Sequence, residues 1–295
     1  MQQDKTLQTP AMASRRTLLG RAGTGALAAG ALAAGIGRTS PATAATDIDV
    51  GILNFALNLE YLEGEFYNRG VHGIGLSNIG TPGSVKGGGQ VPFTDTLLQK
   101  LFTAIALDET NHVAFLRSAL GTMAVPEPNI DFTDTFLALG QAIGLPGFNP
   151  FADQLSFLLG AYVFEDIGVT AYNGAAPLVT SKTYLGAAAS ILAVEAYHAG
   201  AIRSALYQAN YGVYTDRISA IRAEFSRTGP GTGTPSDDAG DDGAAGAVNV
   251  APTDSNSLAF TRTPEQVLAI VFAGGTTSGG FFPNGIQGMF TSSAS

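Results

Sequence analysis

Four segments of this chain with helical character each carry a glutamate, and in two of them a histidine follows three residues later. In chain order these residues are Glu60, Glu109 with His112, Glu165, and Glu195 with His198. Residues three apart lie on the same face of a helix, so the carboxylate and the imidazole of each pair can reach one point beside it. The pattern therefore predicts a four-helix bundle that holds two metal ions between its helices.

The alternative for a single Glu-x-x-His pair is a surface glutamate close to a packed histidine. Two copies in apolar runs, each accompanied by a further glutamate, favour a buried metal site instead, because unpaired buried carboxylates are costly. Four carboxylates balance the charge of two divalent ions. Carboxylate and imidazole ligands suit iron or manganese, whereas the lack of cysteine disfavours structural zinc. We expect two Fe or Mn ions as cofactors, since both metals accept these ligands.

The chain also contains an internal repeat. Residues 104–120 and 190–206 agree at 7 of 17 positions when they are aligned at an offset of 86. A second alignment, at an offset of 105, pairs Glu60 with Glu165 and also two tyrosines, Tyr67 with Tyr172. We interpret the chain as two related helical hairpins, each with one lone glutamate and one Glu-x-x-His pair. This predicts a near-twofold metal site at their interface.

Three further residues are candidates to support the ligands. Tyr67 and Tyr172 each lie two helical turns after a lone glutamate, where their hydroxyls can bond the ligating carboxylates. Ordinary aromatic core is the alternative for both. Glu63 shares a helix face with Glu60 and falls opposite Gly168 in the repeat. It is either an outer carboxylate, a ligand used during metal uptake, or a solvated surface charge.

Five other residues near these motifs have simpler interpretations. Arg117 and Arg203 occupy repeated positions and are expected to cap or bridge helices. Asp108 and Asp166 each adjoin a proposed ligand, but sequence neighbours point about 100° apart on a helix, so surface or supporting roles are favoured over ligation. His72 lies in a glycine-rich stretch and is expected to be exposed.

Hydrophobic periodicity predicts long helices at about 49–69, 94–120, 150–173 and 181–211, and a shorter fifth helix at about 215–227. We expect Gly70 and Gly212 to end the first and fourth helices, and Thr94 to cap the second. The connection 121–150, with a short helix near 133–143, lets the third helix start at the same end of the bundle as the second. The bundle with its fifth helix is thus expected to span 45–227.

The rest of the chain divides into a linker and a tail. Residues 228–257 are rich in Gly, Pro and Asp and predict a flexible acidic linker. Residues 258–295 predict a C-terminal helix that begins at Thr263-Pro264, followed by a tail that docks on the bundle through Phe281-Phe282-Pro283.

Residues 1–44 are interpreted as a twin-arginine export signal, with SRRTLL at 14–19 and a small-residue cleavage site at 42–44. A transmembrane anchor is the alternative, which the glycines and Arg21 disfavour. We therefore expect a periplasmic or extracellular protein without a membrane span in its mature form. After the signal, 10 basic and 23 acidic residues leave a formal charge of −13. This charge argues against nucleic acid and anionic membrane surfaces as partners.

Three segments resemble a known family. Residues 54–63 (NFALNLEYLE) are similar to the first helix of exported bacterial ferritin-like proteins related to plant desiccation-related proteins, within the ferritin-like superfamily. Residues 262–268 (RTPEQVL) and 279–285 (GGFFPNG) resemble the tail of the same proteins. The resemblance implies an all-α, ferritin-like four-helix bundle with a dimetal site. The linker and the tail argue against a ferritin cage, although a smaller homo-oligomer is compatible with the sequence.

The function expected is that of a dimetal-carboxylate protein whose partner is a small oxidant, peroxide or dioxygen, with a role in oxidative or desiccation stress. The reaction would be that of a peroxidase, a catalase or a ferroxidase. In this hypothesis Glu60 and Glu165 are terminal ligands, and Glu109 and Glu195 bridge the two ions. The alternatives are a non-catalytic structural or protective envelope protein, and a protein that sequesters metal ions.

Overall fold

The computed structural model describes residues 46–227, 240 and 248–293. The predicted export signal lies outside these residues, as does most of the predicted linker. Within them the chain forms seven α-helices: α1 (Asp47–His72), α2 (Thr96–Leu120), α3 (Thr133–Ile143), α4 (Gln154–Ala175), α5 (Lys182–Gln208), α6 (Gly212–Ser226) and α7 (Pro264–Val271). Two short parallel strands, β1 (Val85–Lys86) and β2 (Ile130–Asp131), pair with Val85 opposite Ile130. The chain is an all-α, ferritin-like four-helix bundle made of α1, α2, α4 and α5.

Hydrogen bonds between helices establish their directions. Asn68 donates to the Thr110 hydroxyl at 2.9 Å, and Asn54 donates to the Met123 carbonyl at 3.0 Å, so α1 and α2 are antiparallel. Glu60 in the middle of α1 bonds Tyr172 near the end of α4, and Tyr67 near the end of α1 bonds Glu165 in the middle of α4, so these helices are also antiparallel. Helices α2 and α4 therefore run in the same direction, as the long connection between them predicts.

A cluster of phenylalanines anchors this connection and the tail to the bundle. Phe66 of α1 stacks on Phe157 of α4 with ring centroids 4.5 Å apart, and Phe136 of α3 lies 6.0 Å from Phe66. Phe281 of the tail packs 5.0 Å from Phe164 and 5.1 Å from Phe136. Burying each aromatic ring contributes roughly 1.5–3 kcal/mol, so the tail is an integral part of the core, as predicted.

The first helix does not end at Gly70. It continues to His72 and ends at Gly73, whose φ of 75° is in the left-handed region that glycine tolerates. Gly70 serves close packing instead, because a Cβ there would lie 2.2 Å from the ring of Phe157. His72 is exposed, as expected.

Two further boundary predictions were wrong. Asp95, rather than Thr94, caps α2, because its carboxylate accepts from the backbone N–H groups of the first turn at 2.7 and 3.1 Å. Helix α5 ends at Gln208, and Gly212 begins α6, since Asn210 makes the reversal with a φ of 60°. The helix at 133–143 and the start of α7 agree with the sequence analysis.

In the part of the chain that the structure describes, two helical stretches are long and apolar enough to cross a membrane by length and composition, Gln154–Leu178 and Lys182–Gln208. The first is 83% buried inside the protein, as a core helix is, and the second is 28% buried. Helix α5 turns Glu195, His198 and Arg203 inward and exposes mostly small residues.

Candidate metal centre

The bundle brings all six predicted ligands together in its interior. They come from the middle of α1, α2, α4 and α5, and none of them is more than 8% exposed. His112 Nδ1 lies 3.2 Å from Glu60 Oε2, 3.1 Å from Glu109 Oε2 and 3.6 Å from Glu195 Oε1. One imidazole therefore faces carboxylates from three different helices.

The second histidine has an equivalent environment on the other side of Glu109. His198 Nδ1 lies 3.1 Å from Glu109 Oε1 and 3.4 Å from Glu165 Oε2. Its Nε2 lies 3.2 Å from Asp108 Oδ2, whose carboxylate is partly exposed. Asp108 thus supports His198 from the edge of the site. This is one of the two roles, surface or supporting, that the sequence favours for it.

The side chains form two groups. Within each group, the potential ligand atoms all lie within 4.8 Å of one another. The first group contains Glu60, Glu109, His112 and Glu195, and the second contains Glu109, Glu165 and His198. Glu109 belongs to both groups, with one oxygen towards each histidine, which is the position of a bridging carboxylate. Glu195 belongs only to the first, so the arrangement favours Glu109 over Glu195 as the bridge. Metal ligation by the six residues stays a prediction.

The cluster is buried but poorly satisfied by hydrogen bonds. Among the residues that the structure describes, six buried atoms of the cluster form no well-directed hydrogen bond: Glu60 Oε2, Glu109 Oε1, Glu165 Oε2, both carboxylate oxygens of Glu195, and His198 Nδ1. Five of these atoms make ion-pair contacts of 3.1–3.6 Å between histidine and carboxylate, and Glu195 Oε2 makes none. Leaving a buried polar atom without a hydrogen bond costs about 1–3 kcal/mol, and more for a charged group. Carboxylate oxygens and an imidazole nitrogen that lack well-directed hydrogen bonds in one small volume form a donor set that fits hard divalent cations.

The electrostatics of the cluster favour protonated side chains on both histidines and on Glu109. Burial lowers the pKa of His112, but Glu60 and Glu109 outweigh it and raise this pKa to about 10. Burial likewise lowers the pKa of His198, while Glu165 and Glu109 raise it to about 11. Burial and the charge of Glu60 raise the pKa of Glu109 to about 7. A cation that binds here must therefore displace protons.

Each of the two tyrosines singled out in the sequence donates a hydrogen bond to a lone glutamate. In both cases this glutamate belongs to the other hairpin. The Tyr67 hydroxyl of α1 donates to Glu165 Oε1 of α4, and the Tyr172 hydroxyl of α4 donates to Glu60 Oε1 of α1. In the sequence each tyrosine follows the glutamate of its own helix by two turns, but the antiparallel packing of α1 and α4 brings its hydroxyl to the glutamate of the other helix. The two hydrogen bonds hold one oxygen of each carboxylate and leave the other directed at a histidine.

Glu63 breaks the near-twofold arrangement. It is 4% exposed, which excludes a solvated surface charge, and burial with the charges of Glu109 and Glu60 raises its pKa well above the ordinary value. The equivalent position in the other hairpin is Gly168. A Cβ at Gly168 would lie 2.3 Å from Glu195 Oε2 and 3.4 Å from Glu63 Oε1, so the missing side chain makes room for both carboxylates. The repeat sets Gly168 opposite Glu63, but the space that this glycine leaves depends on the packing of α4 against α5 and cannot be inferred from the sequence.

The two repeated arginines hold the helices that carry the ligands. Arg203 is fully buried, and its guanidinium donates to both oxygens of Asp166 at 2.9 Å. Arg117 donates to the Tyr61 hydroxyl at 2.5 Å. Tyr61 and Asp166 are equivalent at the offset of 105, so both halves use the residue after the lone glutamate as the arginine partner. This agrees with the bridging roles expected, and Asp166 is a buried ion-pair residue, not a surface charge.

Comparison with known proteins agrees with this architecture. The family model for the ferritin-like domain matches residues 48–208. The chain is 29% identical over 264 residues to the ferritin-like catalase Nec2 of Nesocodon mauritianus, a match that covers 82% of this chain and 84% of that protein. It is 32% identical over 247 residues to the desiccation-related protein PCC13-62 of Craterostigma plantagineum, with 75% and 76% covered. The chain therefore belongs to the ferritin-like domain family.

Proposed function

We propose that this chain is an exported dimetal-carboxylate protein that binds two Fe or Mn ions and reacts with peroxide or dioxygen. The observation that carries the proposal is the pair of overlapping ligand groups that share Glu109. A single ion would leave one histidine and its carboxylates unpaired, whereas two divalent ions balance the charge of Glu60, Glu109, Glu165 and Glu195. The name of one relative, a ferritin-like catalase, supports a reaction with peroxide.

In this proposal Glu109 would span both ions, with Glu60, His112 and Glu195 on one and Glu165 and His198 on the other. When bound, the ions would polarise the oxidant and exchange electrons with it. The protein would hold the ligands in a site from which bulk water is excluded, where electrostatic interactions are strong.

Groups around the ligands would orient them. Asp108 lies where it can accept the Nε2–H proton of His198, which would leave Nδ1 free to bind a cation. The tyrosine hydroxyls that donate to Glu60 and Glu165 would hold these carboxylates in a fixed rotation. These contacts support a preorganised site, because little rearrangement is needed when metal binds.

The test is metal analysis of the full chain purified after export from its native host, together with peroxide consumption and dioxygen uptake. Glu109→Gln removes the shared charge and is expected to lose both ions and the reaction. Glu224→Gln, on the exposed face of α6, is the matched control and should change neither. A chain without stoichiometric metal and without turnover would refute the proposal.

A filled site that is inert to both oxidants would instead favour the structural or protective alternative, which the name of the desiccation-related relative supports. Tight metal binding without redox cycling would mark sequestration. The same measurements therefore separate the three functions.

Export itself is part of the proposal and rests on the sequence of residues 14–19. Replacing both Arg15 and Arg16 by lysine is expected to retain the full-length precursor in the cytoplasm. Cell fractionation with N-terminal sequencing of the exported form tests this, and an unchanged distribution would contradict export by this route.

A further inference from the structure

Two neighbouring cavities lie between the protein surface and the carboxylate cluster. The outer cavity has a volume of about 530 Å³ and lies between α3, α6, α7 and the tail, with apolar walls that include Leu139, Ile221 and Phe225. The inner cavity has a volume of about 20 Å³ and is lined by aliphatic side chains of α1 and α4, among them Leu59 and Ile167.

Three side chains line both cavities: Val163, Ile270 and Phe281. We call these three residues the neck. Val163 belongs to α4 and Ile270 to α7, whereas Phe281 belongs to the tail. All three are at most 7% exposed. The two cavities thus lie on either side of the same three residues, and rotation of these side chains is the smallest movement that would connect them.

The inner cavity reaches the carboxylates of the candidate site. Glu63 and Gly168 both line it. Glu195 Oε2 lies 2.3 Å from the point where a Gly168 Cβ would be, so this carboxylate occupies the space next to a glycine that lines the cavity. A molecule that passes the neck therefore arrives beside Glu63 and Gly168, next to the Glu195 carboxylate.

We propose that the outer cavity, the neck and the inner cavity form the route by which a small uncharged oxidant, dioxygen or hydrogen peroxide, reaches the site. This inference rests on the proposed function. Asp131 and Asp134 line part of the outer cavity, whereas the three neck side chains are apolar. Transfer of an unpaired ion past them costs far more than transfer of a neutral molecule, so the neck excludes cations. A water molecule needs about 10–15 Å³, so the inner cavity admits one small molecule at a time.

The route gives the tail a second role besides packing. The backbone N–H of Phe281 donates to the Val271 carbonyl at 2.9 Å, and its carbonyl accepts from the Asp131 N–H at 3.0 Å. These two backbone hydrogen bonds hold Phe281 in its place in the neck, beside Val163 and Ile270. The tail thus supplies one wall of the passage, and α7 supplies another through Ile270.

The first experiment changes the neck in opposite directions in the metal-loaded full chain. Val163→Phe narrows it and is expected to lower kcat/KM for the oxidant at least 10-fold, with kcat at saturation much less affected. Ile270→Ala widens it and is expected to leave kcat/KM unchanged or raised. Leu139→Phe, on the outer wall, is the matched control for added bulk and should behave as the unsubstituted protein.

Measuring peroxide and dioxygen separately identifies which oxidant uses the route. The rate of metal loading should be the same in all variants, because cations do not pass the neck. An unchanged kcat/KM in Val163→Phe, or metal loading that slows together with oxidant consumption, would overturn the proposal.

A second measurement does not depend on turnover. Xenon binds in apolar cavities, so crystals of the metal-free protein under xenon pressure should show anomalous density in the outer cavity and at the neck. Val163→Phe should abolish the density at the neck and keep it in the outer cavity. Absence of xenon at the neck of the unsubstituted protein overturns the route. Lack of metal or of turnover in that protein counts against the proposed function instead.

Discussion

Gly168→Ala is the smallest change that tests the geometry of the candidate site. In an ordinary helix this substitution stabilises by up to about 1 kcal/mol, because alanine loses less backbone entropy on folding. At position 168 the new methyl group would lie 2.3 Å from Glu195 Oε2 and 3.1 Å from Glu195 Cδ. Ordinary contact begins at 3.4 Å, so the carboxylate must retreat by about 1 Å.

A displacement of this size is large compared with the tolerance of a metal site. Ligand distances are held within about 0.2 Å, so Glu195 would no longer ligate in its original position. Loss of supporting groups outside the coordination sphere already weakens metal affinity about 10- to 100-fold, and loss of a ligand should cost at least as much. The effect should be confined to the ion beside His112, because Glu195 is absent from the group around His198.

The assay is a metal titration of the apo-protein, followed by an anomalous-scattering crystal structure that gives the occupancy of each position. Gly168→Ala should keep the ion beside His198 and weaken the ion beside His112. Gly186→Ala is the matched control, because Gly186 is an exposed glycine of α5 with nothing within 4 Å of its added Cβ. It should bind both ions normally and gain thermal stability. Full occupancy of both positions in Gly168→Ala, with Glu195 unmoved, would refute the reasoning.

Three further predictions concern protons, acid stability and metal removal. With pKa values of about 10 for His112 and about 11 for His198 before loading, metal binding should release at least two protons per chain. The apparent affinity for each ion should therefore rise roughly 10-fold per pH unit between pH 6 and 8, and the overall constant for both ions roughly 100-fold. A pH-independent titration with an indicator dye would contradict this. Although burial raises the pKa of Asp49, hydrogen bonds from Thr180, Thr46 and Ser181 lower it to about 2. Its folded-state pKa lies below the ordinary aspartate value of 3.8, so its stabilisation is present above that pH and is lost as pH falls towards 2. Asp49→Asn should lower the free energy of unfolding at pH 7 by about 1–3 kcal/mol. It should also make Tm fall less steeply as the pH is lowered from about 4 to about 2, and an unchanged dependence of Tm on pH in this range would contradict the prediction. Chelation removes about 4 kcal/mol of stabilisation for each ion present at 1,000 times its Kd, so Tm should fall by roughly 8–16 °C per ion in calorimetry, whereas an unchanged Tm would argue against a filled site.

The bundle and its six candidate ligands could be inferred from the sequence because both depend on local spacing. A glutamate and a histidine three residues apart share a helix face whatever surrounds them. The repetition of the pair at Glu109 and Glu195 then indicated that two similar hairpins enclose one site. The structure agrees with this inference, because it buries all six side chains inside the bundle.

Errors at the helix ends have a different origin. Gly70 was expected to end the first helix, since glycine is common at such positions, but its role is to let α1 approach the ring of Phe157. Asp95 and Thr94 are both good caps by residue type. Which of them acts depends on how the preceding loop enters the helix, and the side chain of Gln154 accepts from both of their backbone N–H groups.

Residue types and their spacing along each helix were enough to identify the candidate ligands, because helical periodicity is a property of neighbouring residues. The packing of distant helices decided the rest: the exchange of tyrosine partners between α1 and α4, the space that Gly168 leaves for Glu195, the position of Glu109 between the two histidines and the cavities beside Phe281. These features depend on distances between residues that are far apart in the sequence, such as Tyr172 and Glu60, which are 112 positions apart. Such distances arise only when the buried faces of the two hairpins close against each other, because close packing selects one arrangement among many that the same local pattern allows.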